Sequence, residues 1–282
     1  MEFVKMHGLG NDFIIINAEK ADLAPEEYGA AAVKLCDRRF GIGADGLVVT
    51  GRDAEFDLFM RIFNPDGTEP EMCGNAIRCV VRYAWESGLV SKVSLSVRTL
   101  AGPRYPLLIF EQGQIKQVRV DMGEPVLERS LIPMSGGTGV VIDEELDTEA
   151  GPFRITAVSM GNPHCVIFVD ELGEVALHEW GPIIESHPAF PGKTNVEFAK
   201  IESRSCISMS VWERGAGETL ACGTGACATL VAAVLNDLTN RQAVLRLKGG
   251  ELFIEWDATN NHVYMTGEAR RVFTGEVDLK EL

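Results

Sequence analysis

The feature that most constrains this chain is a weak internal repeat. Cys73-Gly74 and Cys222-Gly223 stand 149 residues apart, and the same offset carries Glu69 onto Glu218 and Ile62-Phe63-Asn64 onto Val211-Trp212-Glu213. An offset of 151 carries Gly10-Asn11 onto Gly161-Asn162. Each half thus reads Gly-Asn, a long gap, an apolar strand ending in a polar residue, and nine residues later Cys-Gly at a helix start. The identities are few, but their common order and near-constant offset point to a duplication. A length of 282 residues suits two domains of roughly 100–150 residues. The expectation is two similar halves facing each other across a pseudo-twofold axis.

Short runs rich in Val, Ile, Phe and Thr, bounded by Gly, Pro or Asn, predict strands. In the first half they cover 13–17, 47–50, 57–63, 93–100, 105–110 and 115–120. In the second they cover 155–160, 165–169, 205–213, 243–247, 252–256 and 263–268. Helices are expected over 25–38, opening on Pro-Glu-Glu, over 74–87 with Ile77, Val80, Val81 and Ala84 on one face, and over 223–235. The last is apolar nearly all round, so it reads as buried. This is an α+β pattern with mostly antiparallel sheets. The segment 123–151, with Pro125, Pro133 and a Gly-rich run at 136–139, reads as a connection between halves. The expected boundaries are 1–118 for the first half, joined by a C-terminal strand over 268–282, and 119–267 for the second.

The formal net charge of −15 disfavours a nucleic-acid surface and docking to anionic lipid. No apolar run approaches a membrane span, and the N-terminal residues lack a signal-peptide pattern, so a cytoplasmic protein is expected. Seven cysteines, an odd number, with no CxxC pair, argue against a disulfide framework and a structural zinc site.

Cys73 and Cys222 each follow a strand and open a helix. A helix N-terminus presents unpaired N–H groups and about half a positive charge, which favours thiolate and predicts a thiol pKa below the usual value of about 8.5. The glycine after each cysteine allows close backbone approach, and the exposed N–H groups can cradle a carboxylate. One catalytic thiol is ordinarily a nucleophile paired with a histidine. Two thiols related by a repeat suit another task. Inverting a stereocentre removes a proton from one face of a carbon and adds one to the other, and a thiolate with a thiol does both. A buried, inert thiol is the commoner reading of either cysteine alone; the matched pair reverses it.

Asn11, Asn64, Asn162, Asn195, Glu213 and Arg214 accompany this pair. Singly, an Asn after Gly is most often a turn former, and Glu213-Arg214 a solvated strand end. Together they offer amides and a guanidinium for carboxylates and a carboxylate for an ammonium group, which suits a substrate with amino-acid character at two ends. Gly41-Ile42-Gly43-Ala44-Asp45-Gly46 spells GxGxxG, but a helix precedes it and a strand follows, the reverse of the dinucleotide-binding context. No histidines share metal-ligand spacing; His164 alone lies near candidate site residues.

The runs Met6-His7-Gly8-Leu9-Gly10-Asn11-Asp12-Phe13, Met72-Cys73-Gly74-Asn75-Ala76-Ile77-Arg78-Cys79, Ser159-Met160-Gly161-Asn162-Pro163-His164-Cys165 and Glu213-Arg214-Gly215-Ala216-Gly217-Glu218-Thr219-Leu220-Ala221-Cys222-Gly223-Thr224-Gly225 resemble the diaminopimelate epimerase family, in order through most of the chain. The resemblance implies two similar halves, each a curved sheet around a central helix, with the active site in the cleft between them. It implies conversion of LL-diaminopimelate to the meso form without pyridoxal phosphate or metal, a step that feeds lysine and peptidoglycan synthesis. It implies Cys73 and Cys222 as acid and base, and backbone groups of Gly74, Asn75, Gly223 and Thr224 on the reacting carboxylate. Asn11 and Asn162 would line the reacting end; Asn64, Asn195, Glu213 and Arg214 would hold the distal end; His164 would assist. A homodimer is implied too. The chain departs from the family at Gly46, where some members carry a site Gln, and at Ala76, where Gly is common.

Other readings are a proline-racemase-like enzyme, for which Glu213 and Arg214 would lack a purpose, a non-catalytic amino-acid-binding protein, which leaves the paired thiols unexplained, and a thiol redox protein.

Overall fold

The computed structural model describes residues 1–279 and 281. The chain forms two compact units, Met1–Val120 with Thr266–Leu282, and Asp121–Met265. In chain order the first unit holds β1 (Glu2–Gly8), β2 (Asn11–Asn17), α1 (Tyr28–Cys36), β3 (Gly46–Gly51), β4 (Leu58–Phe63), α2 (Gly74–Glu86), β5 (Val97–Thr99), β6 (Gly102–Arg104), β7 (Leu107–Glu111) and β8 (Gln114–Asp121), at whose end the chain leaves it. The second unit holds β9 (Glu144–Thr148), β10 (Gly151–Ser159), β11 (Pro163–Phe168), α3 (Leu177–Glu185), β12 (Asn195–Ser203), β13 (Cys206–Glu213), β14 (Gly217–Glu218), α4 (Gly223–Leu235), β15 (Gln242–Leu247), β16 (Gly250–Trp256) and β17 (Val263–Gly267). The chain then returns to the first unit as β18 (Arg270–Glu276).

The repeat seen in the sequence reappears as topology. In the first unit the sheet runs β18-β1-β2-β3-β4-β5-β6. Its pairs from β1 to β6 are antiparallel, parallel, antiparallel, parallel, antiparallel. In the second the order is β17-β16-β15-β13-β12-β11-β10-β9, and from β10 to β16 the same alternation recurs. A parallel pair requires a crossover, and a helix supplies each one. Helices α1 and α3 bridge the first parallel pair of their units, α2 and α4 the second. The architecture is the expected α+β one, mostly antiparallel.

Strand burial follows from these helices. Phe13–Asn17 of β2 is buried throughout, so both faces of the strand are covered. Ile14 and Ile16 face Tyr28, Ala31, Ala32 and Leu35 of α1, while α2 lies on β1–β4 and sends Ile77, Val80, Val81 and Ala84 inward. In the second unit, Ile155, Cys165, Ile167, Val196 and Phe198 pack with Leu177 and Ile184 of α3. Helix α4 lies against β10–β13, β15 and β16 and is buried around nearly its whole circumference, as its composition predicts.

Several expectations are corrected. The segment 123–151 is not a bare connection: Ile132, Met134, Val141 and Leu146 are buried in the second unit's core and β9 pairs with β10. Its glycines serve backbone shape, since Gly136, Gly137 and Gly139 all have φ above 100°. The helix expected over 25–38 starts at Tyr28, because the Glu27 carboxylate accepts from Ala24 N–H in a preceding turn. It stops at Cys36, because Asp37 turns its backbone extended and accepts from the N–H groups of Arg39 and Phe40. Strands β1, β9, β12 and helix α3 carry charged residues or Pro182 inside them, which hides their periodicity. The terminal strand expected over 268–282 is Arg270–Glu276; Lys280 and Leu282 lie outside the described residues. No helix among the described residues is long and apolar enough to cross a membrane.

Helix α3 meets the sheet through a glycine. A Cβ at Gly181 would stand 2.6 Å from Cγ of Trp212, whose Nε1–H is held by Glu185 Oε2 at 2.8 Å. Gly181→Ala is expected to cost about 1–3 kcal/mol through overpacking, read as a lower denaturant midpoint. An unchanged midpoint would mean that Trp212 yields freely.

Candidate functional site

In the first unit, Cys73 is the N-cap of α2, in extended backbone, and its carbonyl accepts the Ile77 N–H at 3.0 Å. Asn11 opens β2, and Asn75 is the second residue of α2. Asn75 Nδ2 donates to Asn11 Oδ1 at 3.1 Å, and the Cys73 thiol lies 3.9 Å from the same oxygen. The other end of the Asn11 amide is fixed: Nδ2 donates to Asp45 Oδ2 at 2.8 Å. Asp45 belongs to an ion network with Arg38, Asp12 and Lys5, and Lys5 also donates to the Gly43 carbonyl. Burial alone would raise the Asp12 carboxyl, but hydrogen bonds from Arg38 and Lys5 outweigh it and hold the group at about 2. The fully buried Arg78 anchors this helix start, donating to Gly74 O at 2.9 Å and to Asn75 Oδ1 at 2.8 Å.

In the second unit, Cys222 is the N-cap of α4 and is buried. Its sulfur accepts from Gly225 N–H at 3.3 Å and lies 3.5 Å from Thr224 Oγ1. The parallel register of β11 and β12 sets His164 beside Asn195, and the antiparallel register of β12 and β13 sets Val196 beside Trp212. Hence His164, Asn195 and Glu213 gather at the ends of three adjacent strands. Asn195 Nδ2 donates to Pro163 O at 2.8 Å, and its Oδ1 accepts from Arg214 N–H at 2.9 Å. His164 Nε2 stands 3.0 Å from Asn162 Oδ1, and Nδ1 stands 2.7 Å from Glu197 Oε1. Glu213 accepts from the Thr219 hydroxyl, and its carboxyl is close enough to Cys222 for each to influence the other's charge.

The electrostatics correct one expectation. Burial pushes the Cys222 thiol well above its ordinary pKa, and the carboxylates of Glu213 and Glu197 push it further. The hydrogen bonds from Thr224 and from the helix N-terminus at Gly225 favour thiolate but do not prevail. The helix start alone was expected to lower this pKa; the buried acids next to it decide the sign. Burial likewise raises the Glu213 carboxyl. Cys36 and Cys79 sit in cores, and burial pushes each up to about 12.

The structure therefore gathers Asn11, Cys73, Gly74 and Asn75 in one unit and Asn162, His164, Asn195, Glu213, Cys222, Gly223 and Thr224 in the other. Two of the expected site residues have side-chain partners within their own unit. Asn64 is tied into the turn after β4, donating Nδ2 to Thr68 Oγ1 at 3.0 Å. Glu213 accepts from the Thr219 hydroxyl, and its charge acts on the Cys222 thiol. Arg214 is exposed, with Nη1 donating to Gly192 O at 3.1 Å. A side chain at Gly46 would begin 3.0 Å from the Phe63 carbonyl, so that strand position is closed in. Sequence reasoning missed Asp45 and Glu197. A signal for Glu197 was present: it stands two residues after Asn195, on the same face of an otherwise apolar run.

Comparison with known proteins adds a family. The sequence profile described as diaminopimelate epimerase matches residues 3–128 and 156–272. The diaminopimelate epimerase of Pelotomaculum thermopropionicum is 57% identical over 276 residues, covering 98% of each chain. That of Methanococcus maripaludis is 47% identical, covering 99% of this chain and all of its own. Among solved structures, a Bacillus anthracis phenazine biosynthesis protein of the PhzF family superposes with a TM-score of 0.73 at 16% identity, covering 99% of both chains. A probable proline racemase from Agrobacterium radiobacter gives 0.71 at 16% identity, over 99% of this chain and 93% of its own. At that identity the likeness is one of fold.

The position of Cys222 makes a direct prediction. Glu213→Gln removes the acid that raises this thiol most, so the thiol titrates at lower pH and iodoacetamide labels Cys222 faster in the folded protein near pH 8. The gain is on the order of ten-fold for each pH unit of displacement. An unchanged labelling rate, read by mass spectrometry, would assign the raised pKa to burial alone.

Proposed function

The chain belongs to the diaminopimelate epimerase family, and we propose that Cys73 and Cys222 are the acid/base pair with which it converts LL-diaminopimelate to the meso form. The observation that carries this assignment is positional. Cys73 and Cys222 cap the central helices of two units that share one strand order. Cys36, Cys79, Cys165 and Cys227 are buried in the packed interior, and Cys206 begins a strand.

The chemistry follows from the caps. A thiolate takes the α-proton; the C–H electron pair stays on carbon and spreads into the adjacent carboxylate. The opposite thiol then gives its proton to the other face, so the two sulfurs exchange protonation states and no proton is gained or lost. The high pKa of Cys222 suits it to be the protonated partner in the resting enzyme. Carbanion charge needs donors already in place, and the first N–H groups of each helix have no intrahelical partner. We assign Gly74, Asn75, Gly223 and Thr224 to the reacting carboxylate through those groups, and Asn11 and Asn162 to the same end. Glu213 joins the reacting end, because its charge acts on the Cys222 thiol. Asn64, Asn195 and Arg214 are left for the distal amino-acid end, with Arg214 as its cation. His164 acts next to Cys222. No pyridoxal phosphate or metal enters this scheme.

The step belongs to lysine and peptidoglycan precursor synthesis, in the cytoplasm, a location the net charge of −15 suits. A homodimer is supported by the edge strand β18, which exposes Val272 and Phe273.

Proton NMR in D₂O tests the scheme. With chelator and reductant present and no cofactor added, LL-diaminopimelate is expected to lose its α-proton signal as the meso isomer appears. Cys73→Ala and Cys222→Ala are each expected to slow epimerisation by about a hundred- to ten-thousand-fold. Near-normal turnover in either variant overturns the pairing; dependence on an added cofactor overturns the cofactor-free mechanism.

A further inference from the structure

Glu185, the last residue of α3, has no part in the chemistry above, yet it joins three stretches of chain in the second unit. Its Oε2 accepts from Trp212 Nε1–H at 2.8 Å, near the end of β13. Its Oε1 accepts from Gly215 N–H at 3.1 Å, in the turn between β13 and β14, and from Lys193 Nζ at 3.2 Å. Its main-chain carbonyl accepts from Thr194 N–H at 3.2 Å, directly before β12. The residue is 7% exposed. The indole and main-chain partners donate and cannot accept, so the side chain facing them must accept at both oxygens. Burial alone would raise the Glu185 carboxyl; the bonds from Trp212, Lys193 and Gly215 outweigh it and hold the group below the ordinary carboxylate range.

We propose that Glu185 is a positioning residue for the distal end of the substrate: it sets the direction in which the Arg214 side chain leaves the main chain. A peptide is planar, so holding an N–H holds the plane that carries it. Asn195 Oδ1 accepts the Arg214 N–H at 2.9 Å, and Glu185 Oε1 accepts the next N–H along, that of Gly215. The two planes that meet at the Arg214 Cα are both fixed, and with them the Cα–Cβ direction. The Asn195 amide is not free to turn round. Its Nδ2 faces the Pro163 carbonyl, which only accepts, and its Oδ1 faces a main-chain N–H, which only donates. The guanidinium itself rests on the Gly192 carbonyl at 3.1 Å, in the segment that Glu185 holds through Lys193 and Thr194. Arg214 and Gly215 are exposed, so water would satisfy the Gly215 N–H without help. Burying a carboxylate to reach that N–H costs desolvation. Satisfying the turn does not call for it; fixing Arg214 does.

The inference rests on the assignment of Asn195 and Arg214 to the distal amino-acid end. Glu185→Gln keeps the shape, but its NH₂ must face either the Trp212 or the Gly215 N–H, so one bond is lost. In the full-length enzyme, KM for LL-diaminopimelate is expected to rise about ten-fold with kcat within about two-fold, the pattern of lost binding shared by ground and transition states. A merely structural role would lower the denaturant midpoint and the active fraction, hence kcat, and leave KM where it was. Lys193→Met removes the ammonium and leaves both N–H bonds, and is expected to leave KM unchanged. An equal rise there would give the effect to charge and overturn the proposal, as would an unchanged KM in Glu185→Gln. If Glu185→Gln does not fold, Glu185→Asp, which keeps the charge and shortens the reach, takes its place with the same expected rise. The Gly215 amide of the unsubstituted enzyme, followed by NMR in D₂O, is expected to exchange at least about ten-fold slower than an unbonded amide in an exposed turn. Free exchange overturns the clamp. Failure of the unsubstituted enzyme to epimerise LL-diaminopimelate would sink the substrate reading instead, and the Gly215 exchange rate then tests the clamp by itself.

Discussion

Everything in each unit leads to one event: a chain leaving a strand and entering a buried helix at a cysteine. A helix start has N–H groups without partners, and burying it obliges the structure to supply acceptors. At α4 the Cys222 sulfur is one of those acceptors. At α2 the carbonyl of Cys73 begins the helix ladder while the fully buried Arg78 ties Gly74 and Asn75 in place. The sheets wrap these two helices because each helix supplies a crossover that a parallel strand pair cannot do without. Topology and site are consequences of the same connection.

The two units keep their topology but differ in charge. Cys73 stands near the Asn11 amide, to which Asn75 donates, and the ionic groups behind Asn11 form a balanced cluster of two acids and two bases. Around Cys222 the neighbours are acids, Glu213 and Glu197, with one histidine. A helix end contributes at most a few kcal/mol to an anion, and burial beside carboxylates easily exceeds that. The two caps are therefore alike in backbone, while the sign of the Cys222 shift is set by burial and by the acids that β12 and β13 bring to it.

The duplication and the caps were legible because they depend on short, ordered signals: strand, turn, Cys-Gly, apolar helix. Helix α4 matches the expected 223–235 because nothing polar interrupts it. The pKa of Cys222 was not legible, since its sign depends on Glu197 and Glu213 arriving from two other strands. The role of 123–151 was hidden for a related reason: Ile132, Val141 and Leu146 are widely spaced, and no local period announces that they share a core. Asn64 reads equally well as turn former or ligand from its neighbours, and its bond to Thr68 ties its Nδ2 into the turn after β4.

The composition of α4 now has a physical account. Gly223, Gly225, Ala226, Cys227 and Ala228 make a first turn and a half of minimal side chains, a poor choice for an isolated helix, where each glycine costs about 1 kcal/mol. Inside the sheet the balance changes. Small residues let β12 approach the helix closely enough for Glu197 to lie against the Gly225 backbone. They also leave room for the cap sulfur to meet the Gly225 N–H. Helix propensity is given up at the end where Glu197 and the cap sulfur approach bare backbone, and stability is recovered further on, where Leu230 and Val231 are completely buried.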